Sequence, residues 1–422
     1  MTKRRQEDQE DCCFASLLHG DNPEYLAFAC VLGRRLATTS RGPRRILLCG
    51  PGQCTKDPAV QKALICAGWQ ELRHVNAIVA EHLDKTKTKR HALVFTKLRV
   101  LELAYRKVLL LDLDLFPRLG ANLSQLFQVE SPAARYHCAQ RVDKIKHGSL
   151  IPADFQVGIQ WCPNAGVMRL DPLQSTEDRE AQVSAIERDI ERRHGATYLP
   201  EQYYLAEKFK GWRNIGLHWN FEVWPEWDDP EFDEPREDAL KRAQEKGWAG
   251  YYDQTPPPRG EEVLQDVRVW HFSGKSWDTD PSLFMDAANA EEMYAVAERQ
   301  FRHRDPSRIV ATALFEWRAA LEEMIAEPQD EFDALREAAA TLADRAKHTK
   351  QAWWYCGVCA IVSNRMRKKK DGMRSGGPAS ELWLCADCAV ARLRSSLAPQ
   401  TSIPPALCTG SFVKVDVTGA GG

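Results

Sequence analysis

Residues 108–114, VLLLDLD, join four consecutive apolar residues to two carboxylates on alternate positions. A run that is apolar on both faces is typical of a central strand in a parallel sheet, and ligands bind beyond the carboxyl ends of such strands. Buried carboxylates need a cation, and Mg²⁺ or Mn²⁺ commonly bridges carboxylates to substrate phosphates. Asp112 and Asp114 therefore indicate either a metal–phosphate site or a capping role in a surface turn.

The chain before this stretch alternates short apolar runs with amphipathic segments. Runs at 12–18 and 46–49 predict strands, and residues 25–36 predict a helix capped by Asp21 or Asn22. The spacing of Val94, Leu98, Leu101 and Tyr105 predicts an amphipathic helix immediately before the central strand. Alternation of this kind predicts an α/β fold, with helices on both faces of a parallel sheet.

Length and composition narrow the class of protein. A chain of 422 residues is expected to form two or three domains. The net charge of −2 argues against a protein that coats nucleic acid over its whole surface. The longest apolar stretch, about residues 25–33, is far shorter than the roughly 20 residues that cross a bilayer. We therefore expect a cytoplasmic protein without membrane contact, with the nucleus as a second location.

Six segments stand in one order within roughly residues 12–280: FTKL at 95–98, VLLLDLD at 108–114 (with a Leu/Phe turn at 123–127), NAGVM at 164–168, EQYYL at 201–205, WN at 219–220 and HFSGKSW at 271–277. Together they resemble the glycogenin-like family 8 glycosyltransferases. Three segments depart from the family pattern. Glu201 stands where the family has Asp, Trp219 stands where it has Tyr, and the last segment is two residues shorter and has Ser for Pro.

The resemblance implies a GT-A fold, a Rossmann-like αβα sandwich, with the nucleotide sugar at the strand ends. It implies a retaining transferase that moves a hexose from a nucleotide-diphosphate sugar, such as a UDP-sugar, to an unknown acceptor. It also implies Mn²⁺ (or Mg²⁺) held by Asp112, Asp114 and His271. Taken alone, His271 between Trp270 and Phe272 would be interpreted as a buried core histidine and not as a ligand.

The resemblance also assigns residues to the donor. Lys97 and Lys275 would neutralise the diphosphate, although either lysine could instead be a solvated surface residue, and Gly274 would let the backbone approach it closely. Tyr25 would stack on the base, in a loop that differs from the family's. The substrate-binding residues implied are Leu17, Tyr25, Lys97, Leu113, Asn164, Ala165, Gly166, Gly274 and Lys275.

Two further residues match the catalytic positions of the family. Gln202 matches the residue beneath the anomeric carbon, where it would stabilise the sugar cation on the face opposite the leaving group. Glu201 matches the neighbouring carboxylate. A double displacement with Glu201 as nucleophile is the alternative route.

The C-terminal part carries two Cys-x-x-Cys pairs, Cys356/Cys359 and Cys385/Cys388, separated by 25 residues. Four thiolates at this spacing predict a structural Zn²⁺ site, with a disulfide or free thiols as the alternative. The second pair resembles a treble-clef or GATA-like finger. Residues 365–374, RMRKKKDGMR, form a basic loop between the pairs that would contact an anionic partner or remain solvated.

These observations predict four regions: a glycosyltransferase domain at 10–281, a helical extension or connector at 282–349, a four-cysteine zinc-finger-like module at 350–395 and a disordered tail at 396–422. Expected partners are the nucleotide-sugar donor, a carbohydrate, protein or small-molecule acceptor, and a protein or nucleic acid at the zinc finger, with a homodimer also open. The rival hypothesis is an inactive glycosyltransferase-like protein that binds nucleic acid or protein through the zinc finger and basic loop.

Overall fold

The structure is a computed structural model. It describes residues 11–20, 22–52, 54–84, 92–137, 145–152, 162–193, 200–223, 245, 265–273, 307–353, 381–385 and 412–416. No helix in these ranges is both long enough and apolar enough to cross a bilayer.

Helices and strands alternate along the first half of the chain. The strands are β1 (Cys12–Leu18), β2 (Arg44–Cys49), β3 (Glu71–His74), β4 (Lys107–Leu111), β5 (Leu115–Pro117), β6 (Ala133–His137), β7 (Cys162–Arg169), β8 (Arg213–Asn214), β9 (Phe221–Glu222), β10 (Val269–His271), β11 (Glu381–Cys385) and β12 (Phe412–Asp416). The α-helices are α1 (Pro23–Thr39), α2 (Pro58–Cys66), α3 (Glu81–Asp84), α4 (Thr176–Glu191), α5 (Pro200–Lys208), α6 (Ser307–Ala326) and α7 (Asp333–Trp353).

The central sheet of the described chain has seven strands in the order β3-β2-β1-β4-β7-β6-β8. The first four are parallel, as the alternating pattern predicts. The sequence pattern predicts no direction for β7, which runs antiparallel to both β4 and β6. This strand is buried along its whole length, and burial on both faces is compatible with either direction. The fold is therefore mixed α/β with a parallel-rich sheet.

The central strand β4 is buried on both faces, as its composition predicts. Leu109 and Leu111 belong to one hydrophobic cluster, on the side of α1. Val108 and Leu110 belong to a second cluster, which includes buried residues of α4. Alternate side chains of a strand point to opposite faces, so the four apolar residues serve two cores at once.

The start of α1 follows the sequence prediction. The Asn22 side chain accepts a hydrogen bond from the Glu24 N–H at 3.0 Å, and Pro23 lies in the first turn. This is the usual chemistry of a helix start, in which a polar side chain satisfies one of the first free N–H groups.

The segment before β4 differs from its prediction. Residues Val94–Glu102 form a 3₁₀ helix, and Tyr105 lies beyond its end. Phe95, Thr96, Lys97 and Leu98 are all buried, and the Thr96 hydroxyl accepts a hydrogen bond from the Ile78 N–H at 3.1 Å. The segment is enclosed by protein instead of lying on the surface, so the periodicity of an amphipathic α-helix does not apply to it.

A second, three-stranded sheet lies at the carboxyl end of β4, in the order β5-β10-β9. Strand β10 pairs antiparallel with β5, which aligns His271 with Leu115. It pairs parallel with β9, which aligns His271 with Glu222. This small sheet joins residues more than 150 positions apart in the chain and positions the candidate site.

The C-terminal helices complete one face of this core. In α6, Trp317 is fully buried and packs on Phe28 of α1, with ring centroids 4.8 Å apart. Leu335 and Leu342 of α7 lie in the same cluster as α1. The carboxylate of Glu316 in α6 accepts hydrogen bonds from the Trp270 indole at 2.9 Å and from Arg118 at 2.8 Å. Helix α6 is therefore tied to β10.

We expect Glu316→Ala to lower the free energy of unfolding by about 2–3 kcal/mol, because it leaves the buried Trp270 N–H and the half-buried Arg118 without this acceptor. Urea denaturation measures the change. The matched control is Glu322→Ala in the same helix, which removes a surface pair with Arg318 and should change stability by less than about 0.5 kcal/mol. If the two variants lowered the free energy of unfolding equally, the hydrogen bond between Glu316 of α6 and Trp270 of β10 would not stabilise the fold as expected.

Candidate functional site

Three predicted metal ligands meet at the carboxyl end of β4. Asp112 follows β4 directly, and its N–H donates to the Gly166 carbonyl at 2.9 Å. Asp114 precedes β5, and its carbonyl accepts from the Phe272 N–H at 2.9 Å. His271 ends β10, the strand paired with β5. Backbone pairing across the small sheet therefore fixes the positions of all three residues.

Donor atoms of Asp112, Asp114 and His271 all lie within 4.8 Å of one another. The His271 Nε2 atom is 3.5 Å from Asp114 Oδ1. Two carboxylates and an imidazole form a donor set that suits Mn²⁺ or Mg²⁺, since hard cations take carboxylate oxygens and imidazole also binds transition metals. The site therefore fits a divalent cation, and the proximity of His271 to the two acids agrees with its predicted role as a ligand.

The local charges are arranged around the two aspartates. The Lys97 ammonium donates to Asp112 Oδ1 at 2.6 Å and is almost fully buried. Burial alone would lower the pKa of Lys97, but the carboxylates of Asp112 and Glu201 raise it, so the ammonium keeps its charge. Loss of solvation raises the pKa of Asp112 and outweighs the attraction of Lys97. One lysine is insufficient compensation for two aspartates, which favours a further cation.

His271 is held between acidic groups. Burial alone would lower its pKa, but the hydrogen bond and charge of Asp114, with the charges of Glu222 and Asp112, raise it. The same group of negative charges that raises the pKa of the imidazole would attract a metal ion in place of the proton.

The candidate catalytic residues begin helix α5. Glu201 is buried, and loss of solvation raises the pKa of its carboxyl group, with the charge of Lys97 acting in the opposite direction. The Gln202 Oε1 atom accepts a hydrogen bond from the Cys162 thiol at 3.4 Å. Burial and the nearby Glu201 and Glu222 raise the pKa of Cys162 to about 12. The thiol therefore keeps its proton and remains a donor to Gln202.

The predicted donor-sugar segment lies on β7, next to the metal ligands. Asn164, Ala165 and Gly166 are part of this fully buried strand, and Leu113 is buried between the two aspartates. A Cβ atom at Gly166 would lie 2.5 Å from His271 Cε1 and 2.7 Å from Nδ1. The missing side chain at Gly166 therefore makes room for the imidazole.

The residues predicted to hold the base lie at the end of β1 and in α1. Leu17 is the penultimate residue of β1 and pairs with Leu48 of β2. Tyr25 is half-buried in α1 and stacks with His19, with ring centroids 6.4 Å apart. Both residues lie toward the carboxyl ends of the parallel strands, the edge that carries Asp112.

Several predicted residues lie outside the described residues. Gly274 and Lys275 directly follow the described segment 265–273. The basic loop at 365–374 also lies outside the described residues. The same is true of three of the four predicted zinc ligands, Cys356, Cys359 and Cys388. Cys385 ends strand β11, whose backbone pairs antiparallel with β12. The zinc site therefore remains a prediction.

Four further polar residues in contact with the site were not among the predicted site residues. Asn220 contacts His271 and Asn164, and Cys162 contacts Gln202. Asn220 and Cys162 lie within or near the motifs at 219–220 and 164–168, which is a usable sequence signal. Arg135 and Glu222 form a buried ion pair at 3.1 Å between residues 87 positions apart, for which the sequence offers no signal.

No protein-family model matches the sequence, and no curated protein matches it. The solved structures that are similar in fold include the following three glycosyltransferases. The galactosyltransferase LgtC, solved with donor and acceptor sugar analogues, is 15% identical, with a TM-score of 0.39 over 72% of this chain and 95% of LgtC. The bifunctional glycosyltransferase WbbM is 13% identical, with a TM-score of 0.45 over 77% of this chain and 51% of WbbM. The glycosyltransferase GlyE of Streptococcus pneumoniae TIGR4 is 14% identical, with a TM-score of 0.39 over 75% of this chain and 64% of GlyE.

Proposed function

We propose that this chain is a metal-dependent, retaining glycosyltransferase that moves a hexose from a nucleotide-diphosphate sugar, most simply a UDP-sugar, to an acceptor hydroxyl. The observation that carries the proposal is the meeting of Asp112, Asp114 and His271 at the carboxyl end of a parallel-rich sheet, with donor atoms within 4.8 Å. That edge is where α/β sheets bind their ligands.

In this proposal Asp112, Asp114 and His271 hold Mn²⁺ or Mg²⁺. The cation, when bound, neutralises the negative charge that develops on the departing nucleoside diphosphate. Lys97 lies beside Asp112 at 2.6 Å and adds a fixed positive charge in the same place. Lys275 and Gly274 are proposed to contact the diphosphate as well, since they follow His271 closely in the chain.

The remaining residues are proposed to bind and orient the donor. Tyr25 and Leu17 contact the base, while Leu113, Asn164, Ala165 and Gly166 line the side facing the sugar. In the transfer step the bond between the anomeric carbon and the diphosphate oxygen breaks. The acceptor oxygen forms a bond to the same face of that carbon, and its proton passes to the diphosphate.

Gln202 is proposed to stabilise the sugar cation on the face opposite the leaving group. Its amide oxygen carries the partial negative charge that such a cation needs, and the Cys162 thiol holds that oxygen by a hydrogen bond of 3.4 Å. Glu201 as a nucleophile is the less favoured route, because its buried carboxyl has a raised pKa and a nucleophile must be ionised.

The direct test incubates the full chain with a panel of nucleotide sugars, with and without Mn²⁺, and measures release of nucleoside diphosphate. Mn²⁺-dependent release from one donor, lost on addition of EDTA, supports the proposal. Absence of turnover with every donor, together with salt-sensitive binding of nucleic acid, would instead support the inactive binding protein.

We expect Gln202→Ala to reduce transfer by about a hundredfold or more, the usual cost of removing one group that stabilises developing charge. Donor affinity should persist, because the amide acts on the sugar cation and not on the ground state. Steady-state kinetics and calorimetric titration of the donor measure the two quantities. The control is Gln125→Ala, at an exposed glutamine outside the site. Unchanged turnover of Gln202→Ala would remove this residue from the mechanism.

A further inference from the structure

A chain of buried hydrogen bonds lies behind His271. The Asn164 Oδ1 atom accepts from the Gly166 N–H at 2.9 Å and from the Asn220 side-chain amide at 2.8 Å. The Asn220 Oδ1 atom is 2.7 Å from His271 Nδ1. Asn164, Asn220 and His271 are each at most 4% exposed, so water does not compete for these bonds.

The donor and acceptor of every hydrogen bond in this series follow from its first donor, the Gly166 N–H. A backbone N–H can only donate, so the Asn164 atom that faces Gly166 is the oxygen. The same oxygen can only accept, so the Asn220 atom that faces it is the NH₂ group. The other atom of that amide, Oδ1, then faces His271 and must accept a hydrogen bond from the N–H at Nδ1.

This order determines which ring nitrogen of His271 carries the proton. In a neutral imidazole one nitrogen is a donor and the other has a free lone pair. Because Nδ1 must donate to Asn220, the lone pair lies on Nε2, the nitrogen that is 3.5 Å from Asp114. The backbone of Gly166 therefore controls, through two asparagines, the tautomer of a histidine.

We propose that Asn220 is a positioning residue of the metal centre, which holds the proton on His271 Nδ1 and leaves Nε2 for a divalent cation. The inference rests on the proposed function, since it assumes that Asp112, Asp114 and His271 bind a metal. Partners of this kind fix the orientation of histidine ligands, and their loss typically costs 10- to 100-fold in metal affinity or activity.

A buried ion pair holds Asn220 from its other side. Arg135 donates to the Asn220 carbonyl at 3.2 Å and to the Glu222 carboxylate at 3.1 Å. Glu222 also accepts from the Ser273 hydroxyl at 2.8 Å. Arg135 therefore holds the backbone of Asn220, and Asn164 and His271 hold its side-chain amide.

The experiment measures binding of Mn²⁺ alone to the full chain by calorimetric titration. We expect Asn220→Ala to weaken binding by about 10- to 100-fold. The control for a general loss of stability is Asn214→Ala, at an equally buried asparagine that bonds to the Tyr136 N–H and the Ile145 carbonyl.

A second measurement does not need the metal. In protein labelled with ¹⁵N-histidine, NMR shows which ring nitrogen of neutral His271 carries the proton, assigned by comparison with His271→Gln. We expect the proton on Nδ1 in the wild type and in Asn214→Ala, and a mixture of tautomers in Asn220→Ala.

The outcomes separate the inference from the function on which it rests. A wild-type chain that binds no Mn²⁺ would overturn the proposed metal centre, and the positioning role with it. A wild-type chain that binds Mn²⁺, with unchanged affinity and tautomer in Asn220→Ala, would overturn the inference alone. Equal weakening in Asn214→Ala and Asn220→Ala would also overturn it, because the effect would then be one of stability.

Discussion

Asp114→Asn is expected to abolish Mn²⁺ binding and to lower donor turnover by at least about a thousandfold. The substitution keeps the shape of the side chain and removes the charge that a hard cation needs. Metal ions contribute several kcal/mol to such reactions, and each 1.4 kcal/mol or so is a factor of ten in rate. The half-buried Asp114 lies 3.5 Å from His271, so the substitution would place a neutral amide beside the imidazole where the negative charge had been.

The measurements are Mn²⁺ titration and release of nucleoside diphosphate by the full chain. The matched control is Asp57→Asn, because the Asp57 side chain accepts from the Ala59 N–H at the start of α2 and Asn caps a helix equally well. If the Asp114→Asn variant bound Mn²⁺ as tightly as the wild type does, that result would exclude this metal centre.

Gly166→Ala is expected to weaken Mn²⁺ binding by about a hundredfold. Metal affinity falls by a similar factor when the residues that orient a histidine ligand are lost. The added Cβ would lie 2.5 Å from His271 Cε1, closer than atoms in proteins approach, and 3.1 Å from Asn164 Oδ1, which is a tight contact. The imidazole must therefore shift from the position that places its Nε2 atom 3.5 Å from Asp114. The backbone at Gly166 lies in an extended strand, so the effect is one of space.

Gly33→Ala is the control for this steric effect. Its added Cβ would lie 2.7 Å from the Trp69 indole nitrogen, which overpacks the core between α1 and β3 at a distance from the site. Overpacking of this kind costs about 1–3 kcal/mol of stability. Both variants should therefore lower the melting temperature, while only Gly166→Ala should weaken Mn²⁺ binding. Equal Mn²⁺ affinities in the two variants would contradict the role of Gly166.

Much of the fold follows from local patterns. The strands β1, β2 and β4 and the start of α1 appear where apolar runs and capping residues predict them, because these signals lie within a few residues of one another. The direction of β7 and the 3₁₀ form of residues 94–102 do not follow in this way. The direction of β7 depends on its pairing with β4 and β6, and the 3₁₀ form depends on enclosure by distant parts of the chain. Neither is encoded in local periodicity.

The same division applies to the site. The order of Asp112, Asp114 and His271 along the chain, together with the motifs around them, indicated a shared metal centre, and the structure brings their donor atoms together. The roles of Asn220 and Cys162 were not predicted, although both lie within or near recognised motifs. A hydrogen-bond partner depends on the orientation of two side chains, and a motif specifies only their identity.

The sequence by itself determined which residues are chemically able to act: two aspartates after an apolar strand, one histidine, and an amide beside an acid. Only the tertiary structure decided how they are oriented. Pairing of β5, β10 and β9 brings the imidazole to the aspartates, and the bonds from Gly166 through Asn164 and Asn220 turn its Nε2 toward Asp114. The physical reason is that apolar periodicity and residue type are local properties, whereas buried hydrogen bonds and ion pairs exist only between segments that folding has brought together.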